Sequence, residues 1–147
     1  MLPRTLLVAA CAFGERLSAQ RVATAVARGL ADGGWQVDLC PIDGQWPPAG
    51  PAGEMRELLG ALDFDARMRS ARALIVCEQR LKEDALAGSV AFEIATRARQ
   101  AGVPAYAITA ENRLDSFDAR ILDLQTIVEA AGARSLRTAG RKLAQLV

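Results

Sequence analysis

The chain has 147 residues, 51% hydrophobic and 24% charged, which suits one globular domain able to bury a substantial core. Its 18 basic and 17 acidic residues leave a net charge of +1, so no electrostatic case exists for nucleic acid or for an anionic membrane as partner. It contains no histidine, which excludes histidine-based triads, histidine general bases and histidine metal sites.

In chain order, Thr5–Ala10 is a continuous apolar run too short for a helix and suited to a strand covered on both faces. Gly14-Glu15-Arg16 cuts the apolar N-terminus before a signal-peptide or membrane-span pattern can form, so a cytoplasmic protein is expected. Ser18 is placed to cap a helix over Ala19–Ala31, in which Val22, Val26 and Leu30 recur on one face, and Asp32-Gly33-Gly34 ends it. Trp35–Pro41 reads as a half-covered edge strand, with Val37 and Leu39 alternating with Asp38 and Cys40. The Pro/Gly run from Trp46 to Gly53 is expected to be an exposed connector rather than regular structure.

Ala73–Val76 predicts a third buried strand, followed by a polar loop through Lys82-Glu83-Asp84 and a helix from Val90 to Ala101. That helix places Ile94, Ala95 and Ala98 on one face, stops at Gly102 and is followed by Pro104. Ala105–Thr109 is a fourth strand and Ile121–Thr126 a fifth. Ala131–Val147 is a closing helix with Leu136, Ala139, Leu143 and Leu146 as its buried stripe, interrupted by Gly132 and Gly140. Strands alternating with helices imply an α/β fold of about five parallel strands, with right-handed crossovers placing helices on both faces. One domain spans residues 1–147.

Two segments carry a family resemblance. Cys77-Glu78-Gln79-Arg80-Leu81 through Gly88-Ser89 resembles the GEGRLDxQSxxGK segment of type I glycerate kinases; Glu78, Arg80, Leu81 and Gly88 match, while Cys77, Gln79, Lys82 and Ser89 depart. AACAFGERLSA is similar to the family's APDSFKGSLSA, retaining Ala9, Phe13, Leu17, Ser18 and Ala19 but with Cys11, Ala12 and Gly14 in place of Asp, Ser and Lys. Leu58–Arg67 is similar to a family helix of the type LLGFDERL. The resemblance implies the family's first domain, a flavodoxin-like (Rossmann-like) three-layer unit, with residues 46–53 standing where the family inserts its second, lid domain.

In a flavodoxin-like strand order of 2-1-3-4-5 the loops after Ala10 and Val76 face one crevice, the usual ligand position of an open parallel sheet. Ser18, Glu78, Arg80, Gly88 and Ser89 are the candidate ligand-binding residues, the Gly88-Ser89 turn offering helix N–H groups to a phosphate or carboxylate with Arg80 assisting. In the alternative, Gly88 is a turn, Ser89 a cap, and Arg80 pairs with Glu78 or Glu83. No metal site is expected; Asp43, Glu78 and Asp84 are scattered acids that would serve magnesium only in a working kinase. Cys11, Cys40 and Cys77 each end one of three neighbouring strands about 4.8 Å apart and form a candidate thiol row of lowered pKa, set against the reading that they are small buried apolar residues. Odd in number and without CxxC spacing, they fit neither a disulfide framework nor a zinc site. Cys77-Glu78-Gln79-Arg80-Leu81 is echoed by Ala110-Glu111-Asn112-Arg113-Leu114.

The expected function is a degenerate, lid-less glycerate kinase-like domain that binds a small anionic metabolite or a protein partner, with weak or no catalysis. An ATP- and magnesium-dependent kinase of glycerate or a related hydroxy acid is the enzyme alternative, and a structural role in a homo-oligomer a third.

Overall fold

A computed structural model describes residues 4–42, 52–82 and 89–147. Along the chain run β1 (Thr5–Ala10), α1 (Ala19–Asp32), β2 (Gln36–Pro41), α2 (Ala52–Ala61), α3 (Phe64–Arg69), β3 (Ala73–Lys82), α4 (Val90–Ala101), β4 (Ala105–Arg113), α5 (Ser116–Leu122), β5 (Leu124–Glu129) and α6 (Ala133–Leu146). The strands form one parallel sheet in the order β2-β1-β3-β4-β5, the flavodoxin-like arrangement.

The apolar runs of β1 and β3 are explained by burial on both faces. Leu6, Val8, Ala10, Ala73, Ile75 and Cys77 face α1 and α6. Leu7, Ala9, Leu74 and Val76 face α2, α3 and α4. Within α1 the stripe Val22, Val26, Leu30 is fully buried, as its spacing predicts. Ser18 caps this helix by accepting the Arg21 N–H, and Gly102 ends α4 at φ +72°, where a side chain would be strained.

Several expectations are corrected. Strand β3 does not stop at Val76; it continues to Lys82, because β4 continues to Arg113 and the two pair along their length, Arg80 opposite Glu111 and Lys82 opposite Arg113. Residues 121–126 are not one strand: Asp115 accepts the Asp118 N–H and caps α5, and β5 starts only after Asp123 turns through a left-handed conformation. In β2, Leu39 is exposed while Asp38 is held by Arg67 of α3 at 2.7 and 2.9 Å. Leu146 leaves the stripe of α6, 51% exposed. The connector 46–53 lies outside the described residues up to residue 51, and its last two residues already belong to α2.

Candidate functional site

The ends of β1 and β3 lie side by side at the switch point, with the Cys11 amide donating to the Cys77 carbonyl at 2.9 Å. Beyond β1 the chain folds back at Phe13–Leu17, with Gly14 at φ +72° close to the Gln79 amide group. The neighbouring residue of β3, Glu78, points to the other face, where α4 begins.

There the carboxylate and the helix meet. Ala91 donates its N–H to Glu78 Oε2 at 3.0 Å, and Phe92 donates to Ser89 Oγ at 3.0 Å. The N–H groups expected to receive an external anion are thus engaged by the chain's own side chains. Burial pushes the Glu78 carboxyl up to about 7, and the Ala91 N–H pulls it back only in part. A carboxyl half-protonated near neutrality is suited to giving or taking a proton.

Arg80 points elsewhere. It is exposed and pairs across the sheet with Glu111 at 3.3 Å, and Glu111 also holds Arg113, so among the described residues Glu111 rather than Glu78 is its partner, and Glu83 lies outside those residues. Glu78 and Ser89 are therefore brought together, Arg80 is drawn toward β4, and Ser18 caps α1 on the opposite face of the sheet. Gly88, Asp43 and Asp84 lie outside the described residues. Among the described residues no group of three or more Cys, Asp or Glu side chains could hold a metal ion.

The cysteines do not form a row. In register Ala9 lies opposite Cys40 and Ala10 opposite Cys77, and adjacent residues of a strand point to opposite faces. Cys77 packs with the α1 and α6 layer, Cys40 and Cys11 with the α2–α4 layer. Both Cys77 and Cys40 are fully buried, and burial raises rather than lowers their pKa, which fits small apolar core residues rather than activated thiols.

Two residues organise this end of the sheet: Thr109, which sequence reasoning missed, and Glu111, which it noted within the echoed motif. Thr109 is fully buried; its hydroxyl donates to the Gln79 carbonyl at 3.0 Å and accepts the Glu111 N–H at 3.3 Å, fixing both strands where they outrun the core. Glu111 links Arg80 and Arg113, and its only sequence signal was the repeated Glu-x-Arg pattern.

No family model and no curated protein matches the chain. Among solved structures, a pilus assembly-related protein of Burkholderia pseudomallei is 18% identical, with 96% of this chain and 89% of that one covered at a TM-score of 0.53. An oxidoreductase of Corynebacterium diphtheriae is 13% identical, with 100% and 98% covered at a TM-score of 0.51. A diflavin flavoprotein of Nostoc sp. is 16% identical, with 99% and 94% covered at a TM-score of 0.46. At these identities the likeness concerns the fold. Among the described residues no helix is long and apolar enough to cross a membrane.

Proposed function

We propose that the chain is a degenerate, lid-less glycerate kinase-like domain that binds a small anion at the end of β3, or a partner in its place, with weak or no phosphoryl transfer. The observation that carries this reading is the N-terminus of α4, where Glu78 and Ser89 accept the Ala91 and Phe92 N–H groups. A triphosphate brought there would meet a carboxylate where phosphoryl transfer needs cations and free N–H groups. Only residues 42–51 separate β2 from α2, too few for a domain that would enclose a substrate and exclude water. A small monoanion asks less: a Glu78 that takes up a proton as the anion arrives and gives up the Ala91 N–H to it.

Thermal-shift titration of the chain with D-glycerate, inorganic phosphate and magnesium ATP, at pH 6 and pH 8, tests the reading. Glycerate or phosphate is expected to stabilise more than magnesium ATP, and more at pH 6 than at pH 8. Larger stabilisation by magnesium ATP, or ADP release with D-glycerate that disappears in Arg80→Ala, would return the kinase alternative to first place.

A further inference from the structure

The far edge of the sheet carries a second feature, independent of the crevice. Among the described residues, strand β5 ends the sheet and pairs only with β4. Ala130 donates inward to the Thr109 carbonyl at 2.9 Å, so by the two-residue alternation of a parallel pair the main-chain groups of Ile127 and Glu129 turn outward. Such an edge is a template for another strand unless charge, proline or a bulge blunts it. Here the only irregularity lies at the start of β5, opposite Ala105–Ala107, and Glu129 turns its carboxylate to the Asn112 N–H.

Beside this edge, between β5 and the flank of α6, runs an open groove of about 600 Å³. Val128 and Ala139 give it apolar lining beside Ser135 and Thr138, and Glu129 lines it too, its carboxylate engaged by the Asn112 N–H. Arg134 and Lys142 stand at its rim, both exposed. Arg137 and Arg141 of the same helix are held by Asp32, whereas Arg134 and Lys142 make no ion pair among the described residues.

The spacing of those two cations selects the occupant. Eight residues of helix separate them, about 12 Å at a rise of about 1.5 Å per residue. In an extended segment, residues four apart point to the same side and lie about 13 Å apart. We propose that this groove docks an extended acidic peptide segment of a partner protein, added as a strand to β5, with an acid-x-apolar-x-acid pattern. The apolar side chain covers Val128 and Ala139 while the two carboxylates meet Arg134 and Lys142.

An NMR titration of the isotopically labelled chain tests the proposal, using a heptapeptide with glutamate at its second and sixth positions, valine at the fourth and threonine between them. Amide shifts are expected within residues 124–142. Affinity should fall about tenfold when glutamine replaces both glutamates, when prolines replace the valine and one adjacent threonine so that a main-chain donor to β5 is lost in either strand direction, or in the Arg134→Glu/Lys142→Glu variant. Both substituted residues are exposed, and the glutamine peptide keeps the test independent of how the variant folds. Absence of shifts, equal binding by the glutamine peptide, or the same shifts from free glutamate at equal concentration would overturn the proposal. So would concentration-dependent dimerisation abolished by Arg134→Glu, which would assign the groove to a second copy of the chain.

Discussion

Glu78 is the residue on which the chemistry of the crevice turns, and its environment makes a definite statement about pH. Its native pKa of about 7 lies above the ordinary value of 4.5, so between those values the folded state holds the proton and the unfolded state does not. The stability this confers is fully present below pH 4.5 and is lost as pH rises through 7, about 3 kcal/mol across the window. Glutamine keeps a carbonyl oxygen for the Ala91 N–H but does not titrate. Glu78→Gln should therefore flatten the stability profile between pH 5 and 8 and match or exceed the native chain at pH 8, measured by urea unfolding. An unchanged slope in the variant would remove Glu78 as its source. The caps Ser18 and Ser89 were legible because each stands directly before a helical pattern. The bond from Glu78 to Ala91 was not, since it joins a strand to a helix across a segment whose path the sequence does not print. The thiol row failed for a related reason: a one-residue offset in register sends a side chain to the other face.

Elements were legible wherever periodicity was decided locally, and misread where a distant partner decided. The polar residues after Cys77 look like a loop, yet Arg80 opposite Glu111 and the Thr109 hydroxyl on Gln79 carry the pairing of β3 and β4 onward. The echo of Glu-x-Arg after both strands supplies that cross-strand charge pairing. Gly140 shows the converse case, a residue that weakens the prediction of a helix and strengthens its packing. A Cβ there would lie 2.4 Å from the Val26 carbonyl oxygen, and one at Gly29 only 2.0 Å from the Arg137 carbonyl oxygen. Bare backbone lets α1 and α6 approach closely. On helix propensity alone Gly140→Ala would stabilise by about 1 kcal/mol. Overpacking against unyielding backbone reverses the sign, and a loss of about 2–3 kcal/mol is expected in thermal unfolding. Gly60→Ala, in α2 with nothing within 4 Å of the added Cβ, is the control and should be neutral or stabilising. Equal effects at both glycines would show that propensity, not contact, governs α6.

At the scale of the molecule, alternating strands and helices made the parallel sheet legible, and the expected order 2-1-3-4-5 is the one observed. How the two ends of the chain depend on each other was not legible, because it rests on contacts spanning more than a hundred residues. Trp35 donates its ring N–H to the Ala144 carbonyl at 3.0 Å, and Arg137 and Arg141 both hold Asp32, lowering its carboxyl to about 2. Leu136 and Leu143 of α6 are fully buried against the face that also contains Leu6, Val8, Cys77 and Ile108. Each of those leucines contributes about 2–3 kcal/mol by burial alone, and uncovering the face beneath removes at least as much again. That sum is comparable with the entire stability of an ordinary domain, about 5–15 kcal/mol. A chain truncated after Ala131 should therefore lose its cooperative transition rather than merely shift it. In the full chain, tryptophan fluorescence and far-ultraviolet circular dichroism should report one coincident unfolding midpoint, because the Trp35 contact and the sheet share a core. A truncated chain that still unfolds cooperatively, or two separated midpoints in the full chain, would mean that α6 docks on an independently stable sheet.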